Sequence, residues 1–323
     1  MARRGRKLAA ALAVCAVVGG SLAVAGCGDD DDSDSSTGAA ASGLSGNITI
    51  DGSSTVEPLS SAAAEAFNSE NPDVNISVGS SGTGGGFEVF CKGETDISDA
   101  SRGINDDEIA ACEAGGVTFE EFRVASDGIT LVTGKDTDVG GDNLTIDQLA
   151  AIWGPDSKIN NWAQVPPAGS FSNQAMALAG PDSQSGTYDF FNEEVLGEDA
   201  SGETISPRQD YTASADDNVI VRAVQSAPGT LGFFGYTYYE ENTDTLKDFA
   251  IDGVKPTAET ITDGSYPLSR PLFIYVNTER LERPEVNAFV RYYLENAVQI
   301  SEDNEFVPAP QDALDESLAK LGN

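Results

Sequence analysis

The chain of 323 residues carries 53 acidic and 18 basic side chains, a formal net charge of −35, and no histidine. A surface that acidic repels nucleic acids and anionic membranes, which excludes polyanion binding as the main activity. The lack of histidine excludes a Ser-His-Asp triad, a Cys-His pair and every histidine-containing metal site, and a hydrophobic fraction of 40% excludes wholesale disorder.

Residues 1–26 read as an export signal, in which Arg3, Arg4, Arg6 and Lys7 precede an apolar, small-residue run over 8–24. A retained membrane helix is the alternative; Gly19, Gly20 and Ser21 within the run and the acidic flank after it speak against that. The segment Val24-Ala25-Gly26-Cys27 resembles a bacterial lipobox, which implies cleavage before Cys27 and lipidation of that cysteine. Residues 27–45 are small, polar and acidic and read as a flexible tether. The aspartates at 29–32 and 34 lack the spaced ligands of a calcium loop. With Cys15 in the signal and Cys27 taken by lipid, Cys91 and Cys112 are the remaining pair in an oxidising compartment. A disulfide between them is expected, worth about 3 kcal/mol; two buried free thiols are the alternative.

In the exported part, 46–323, Asn47 to Ile50 and Val74 to Val78 alternate as short strands. Leu59, Ala63, Ala66 and Phe67 share one face of a helix, and Thr145 with Gln148 forms a capping box opening another. Pro284 can start a late helix whose stripe is Val286, Phe289, Val290, Tyr293, Leu294 and Ala297. Strands alternating with helices indicate an α/β fold. Phe233, Phe234, Tyr236, Tyr238 and Tyr239 read as core, and Asp216, Asp217 and Asn218 as either a helix start or a segment near a cleft.

Three Gly/Ser/Thr clusters, each between a strand and a helix, hold the most information: 51–56, 79–86 and 182–187. Glycine admits a ligand close to the backbone, helix-start N–H groups point at it, and hydroxyls add neutral donors. Such a set binds an anion with little formal charge. None of the clusters is a nucleotide P-loop or a GxGxxG fingerprint. Arg102, ending Asp96-Ile97-Ser98-Asp99-Ala100-Ser101-Arg102, could fork onto an oxyanion or pair with an acidic neighbour.

Taken together, GSSTVEPL at 52–59, SSGTGGGF at 80–87, DISDASR at 96–102, ASDGITLV at 125–132, LAAIWGPDSKINNW at 149–162, SQSGTYDFF at 183–191, LGFFGYTYY at 231–239 and YPLSRPLFIYVN at 266–277 resemble the Pst-type phosphate-binding proteins of bacterial phosphate ABC importers. The resemblance implies a two-lobed type II periplasmic-binding-protein fold with the ligand in the interlobe cleft. Lobe 1 is expected over about 46–125 and 270–323, and lobe 2 over about 126–269. Residue by residue, it implies phosphate donors at Ser54 and Thr55, at Ser81, Gly82 and Thr83, and at Ser185, Gly186 and Thr187. Two departures stand out. The family's arginine four residues before the serine of the Ser185-Gly186-Thr187 run is Pro181 here, and its strand-end aspartate is Ser101, which is expected to keep that ligand position. Arg102 is therefore expected to supply the charge, and Asp127 to accept the phosphate proton or else simply to shape a turn.

The expected activity is high-affinity binding of inorganic phosphate outside the cytoplasmic membrane and its delivery to the permease subunits of the importer. No catalytic residue, cofactor or metal is expected. The chain is expected to be a monomer, lipid-anchored to the outer face of the membrane through Cys27. Receptors for sulfate or molybdate are the near alternatives, and a secreted phosphatase using Ser54 or Ser185 is the distant one.

Overall fold

The computed structural model describes residues 43–322. The export signal, Cys27 and nearly all of the tether lie outside the described residues. Three short strands, β1 (Gly46–Gly52), β2 (Val74–Val78) and β3 (Ile97–Ala100), pair in parallel with β1 in the middle. Ile48 and Ile50 alternate into the core beneath β1, as period-two patterning requires. Each strand runs into a helix: α1 (Glu57–Glu70), α2 (Thr83–Phe90) and α3 (Asp106–Gly115). Parallel strands end on the same sheet edge, so the three strand-to-helix loops meet there.

A 16-residue strand, β4 (Phe119–Gly134), and the strand Ser269–Asn277 carry the chain across the molecule. They pair antiparallel from Asn277 opposite Phe119 to Ser269 opposite Gly128, with a bulge between Leu272 and Phe273. Beyond that point β4 pairs instead with Leu231–Gly235. The sheet therefore runs β2, β1, β3, Ser269–Asn277, β4, Leu231–Gly235, Leu178–Gly180, Thr212–Ala213. Two main apolar bodies flank the crossing. One contains Ile48, Leu59, Phe67, Phe122, Ile274, Phe289 and Tyr293. The other contains Ile129, Leu131, Trp153, Trp162, Phe191, Phe233 and Tyr266.

Local signals in the sequence explain the elements. The α1 face of Leu59, Ala63 and Phe67 is buried, with Ala66 at its half-buried edge. Pro284 occupies the first turn of the Pro284–Glu295 helix, whose Val286, Phe289, Val290, Tyr293 and Leu294 are buried. Thr145 and Gln148 close a reciprocal capping box on α4 (Ile146–Trp153). Asp216 caps the Asp217–Ser226 helix through the Asn218 N–H. Phe233, Phe234, Tyr236 and Tyr238 are core residues. Cys91 and Cys112 are bonded, tying the end of α2 to α3. Among the described residues, no helix is long and apolar enough to cross a membrane, and no group of three or more His, Cys, Asp or Glu is placed to hold a metal ion.

Asp99, on β3, is fully buried. One carboxyl oxygen accepts from the Ser60 hydroxyl at 2.8 Å, and the other has no hydrogen-bond partner among the described residues. Burial, against the smaller pull of Ser60, pushes this carboxyl up to about 8. In the unfolded chain an aspartate titrates near about 3.9, so the folded state holds the proton more tightly. Stability from this group is full below about pH 4 and is lost as the pH rises toward about 8. Asp99→Asn should therefore flatten the decline in melting temperature between about pH 5 and 8. Thermal melts across that range check it, and parallel wild-type and variant curves would contradict it.

Candidate functional site

The sheet edge where β1, β2 and β3 end opens onto a cavity of about 660 Å³. Its first wall is the β1–α1 loop, Ser53 to Thr55. The Ser53 N–H donates to the Asp99 carbonyl at 2.9 Å, and the Thr55 N–H donates to the Ser53 hydroxyl at 3.2 Å. This close seating needs Gly52, because a Cβ there would lie 2.1 Å from the Asp99 carbonyl oxygen. The second wall is the β2–α2 loop. Asp51 accepts from the Ser81 N–H at 3.0 Å and from the Gly52 N–H at 2.9 Å, and so ties the first two loops together. Gly82 caps α2 without a side-chain hydrogen bond, and Thr83, Gly84 and Gly85 bring the first turn of the helix to the cavity. The Thr83 hydroxyl lies 3.1 Å from that of Ser101, joining the third loop.

Arg102 lines the cavity from this third loop. Its guanidinium is half-exposed and forks onto Glu108, with contacts of 2.8 and 2.7 Å. Arg102 is thus paired with an acidic neighbour, at the rim of the cavity that it lines.

The charge at the base of the cavity comes from Arg270, which sequence reasoning missed. Strand register sets Arg270 directly opposite Asp127. The Arg270 side chain is 10% exposed, and its Nε donates to Asp127 at 3.3 Å. Nη2 donates to the Thr55 hydroxyl at 2.8 Å and to the Gly186 carbonyl at 3.4 Å. Nη1 reaches Glu193 at 3.5 Å, and the guanidinium lies over the Phe190 ring, 3.9 Å from its centroid. The clue in the sequence was a lone base within the apolar strand Ser269–Asn277, where burial demands a paired acid.

Asp127 is buried behind Arg270 and does not line the cavity. Burial pushes its carboxyl up, while the Arg270 guanidinium pulls it down. Ser185 caps α5 (Gly186–Phe191) by accepting from the Thr187 N–H at 3.2 Å. Ser185, Gly186 and Thr187 sit beside the cavity wall, not on it, and a Cβ on Gly186 would come within 2.7 Å of the Thr55 hydroxyl. Of the eleven expected ligand positions, Ser54, Thr55, Ser81, Gly82, Thr83, Ser101 and Arg102 share the cavity. Asp189, Glu193, Glu194 and Glu198 also line the cavity, none of them anticipated. Burial pushes Asp189 up, with Arg270 and the Ser54 hydroxyl opposing it. Burial also raises Glu193, against the pull of Arg270. Two guanidinium groups, hydroxyls and the first turn of α2 thus share one cavity with four carboxylates. That arrangement suits a small oxyanion that also brings a proton to donate.

The profile of a family described as the PBP superfamily domain matches residues 37–297. Over 310 residues the chain is 39% identical to the phosphate-binding protein PstS of Staphylococcus saprophyticus, covering 94% of this chain and 91% of that protein. A solved chain from Planctomyces limnophilus, described as a possible phosphate binding protein, superposes with a TM-score of 0.80 at 40% identity, covering 87% of this chain and all of that one. An ABC-type phosphate transport receptor from Vibrio cholerae has the same fold, with a TM-score of 0.63 at 23% identity over 80% of this chain and 99% of that one.

Removing one partner of a buried ion pair leaves the other uncompensated. Asp127→Asn should therefore lower unfolding stability by about 3 kcal/mol, the lower end for such a break because an amide oxygen remains as acceptor. The urea midpoint measures it; an unchanged midpoint would mean that Arg270 does not depend on Asp127.

Proposed function

This chain belongs to the PBP superfamily, and from that premise we propose that it binds inorganic phosphate in the cavity at the sheet edge and delivers it to a phosphate ABC importer. The observation that carries the reading is Arg270, a buried guanidinium presented to a cavity ringed by the hydroxyls and amides of three loops. Phosphate would lie against Nη1 of Arg270, with Ser54, Thr55, Ser81, Gly82, Thr83 and Ser101 as neutral donors and Arg102 as the outer charge. Ser185, Gly186 and Thr187 would reach the ion as the walls approach. Asp127 acts on the anion through Arg270, by fixing its orientation.

The acceptor for the phosphate proton is Asp189, which lines the cavity. Near neutral pH phosphate still has an O–H to donate, whereas sulfate would set oxygen against carboxylate. A buried mismatch of that kind costs a few kcal/mol. No bond is made or broken. Two lobes, 46–125 with 270–323 and 126–269, would close over the ion about the paired crossing strands and exclude water, which strengthens every donor. The separation of the apolar residues into two main bodies supports that division. The export signal and Cys27 support a lipid anchor at the outer face of the cytoplasmic membrane, and the protein would act there as a monomer that hands its ion to the importer's permease.

Calorimetry with phosphate, sulfate and molybdate tests the reading. The wild type should bind phosphate and not sulfate. Arg270→Lys, which keeps the charge and loses the planar fork, should weaken phosphate at least about tenfold. Tight sulfate binding, or an unaltered Arg270→Lys, would contradict it.

A further inference from the structure

The carboxylates of the cavity are unevenly placed with respect to its charge. Arg270 has five N–H donors, and the structure accounts for most of them without a ligand. Nε is committed to Asp127, and Nη2 to Thr55 and Gly186, all through contacts within the protein wall. Only the Nη1 end is left to face the cavity, and there Glu193 stands at 3.5 Å. Glu193 comes from the π-helical turn Asn192–Leu196 and lies four residues after Asp189, so the two carboxylates project on one side of their helix toward the same space. Asp189 and Glu194 repel the Glu193 charge, and Arg270 and, more weakly, Arg102 attract it. Its side chain is 53% exposed, so this is a loose, solvated pair, not a buried structural one.

We infer that Glu193 is an internal counter-ion that sets the affinity of the cleft: it occupies the one end of Arg270 turned to the cavity, and an incoming oxyanion must displace it. The inference rests on the phosphate-binding reading of this cavity and adds a residue whose role is to oppose binding. The contact is long and half-solvated, so displacement is easy, which suits a receptor that must release its ion as well as capture it. Displacing Glu193 lowers the affinity for any oxyanion by the same factor. It therefore changes affinity without changing the preference for phosphate over sulfate, which distinguishes Glu193 from an acceptor of the phosphate proton.

Calorimetric titration of the full exported chain with inorganic phosphate, and with sulfate in competition, tests the assignment. Glu193→Gln keeps the size of the side chain and removes its charge. It should tighten phosphate about fivefold, near the upper end of what an exposed ion pair is worth, and leave the phosphate-to-sulfate ratio unchanged. Glu194→Gln, the same charge change one residue along on the same wall, should gain clearly less, because Glu194 makes no guanidinium contact among the described residues. Equal gains in the two variants would reduce the effect to the general field of the wall and overturn the assignment. Weaker phosphate binding in Glu193→Gln, or a shifted ratio, would make Glu193 a direct acceptor and overturn it as well. A wild type that binds no phosphate would instead sink the underlying reading, and that result is separate from any of these.

Discussion

The ion pair between Arg270 and Asp127 is the constraint on which the rest of the molecule depends. Both side chains are nearly inaccessible, and both belong to the two strands that cross between the apolar bodies. A buried charge is tolerated only where partners satisfy it. Here one end of the guanidinium is fixed by Asp127 and another by Thr55 and Gly186, so a single side chain binds the crossing strands, the β1–α1 loop and the start of α5 into one arrangement. The remaining end is offered to the cavity. On the proposed reading, structural integrity and anion recognition therefore share one residue.

The charge of the whole chain and the chemistry of the cavity act on different length scales. A net charge of −35 opposes long polyanions, whose binding depends on the field of an extended surface. That field is screened over about 8 to 10 Å at ordinary ionic strength. Within the cavity the nearest groups decide: loop hydroxyls, the first turn of α2 and two guanidinium groups. The acidity in direct contact with the cavity, among the described residues, is that of Asp189, Glu193, Glu194 and Glu198, which on the proposed reading serves selectivity and affinity.

Much of this was legible in the sequence wherever the signal is local. Alternation gave away β1 and β2, helical spacing gave away α1 and the Pro284–Glu295 helix, and glycine with serine and threonine marked the loops that meet at the sheet edge. The site was only partly legible, because its charge depends on register. Nothing near Arg270 in the chain announces Asp127, 143 residues away, and only the antiparallel pairing brings them together. Arg102 drew attention as a rare base at the end of an apparent strand, yet both prongs of its fork go to Glu108. Asp127 was picked out as the acceptor of the phosphate proton or else a turn residue, whereas β4 carries it within the strand, opposite Arg270 and off the cavity lining. The acidic wall was missed because α5 and the π-helical turn after it carry an ordinary-looking surface pattern whose direction only the fold reveals.

The most direct test of this account is a crystal structure of the exported domain grown with phosphate. The account predicts one phosphate within hydrogen-bond distance of Arg270 Nη1, with donors from the 53–55, 81–83 and 101–102 loops around it and Asp189 facing one of its oxygens. A phosphate bound elsewhere, or held by Arg102 with Arg270 still closed onto Glu193, would contradict it.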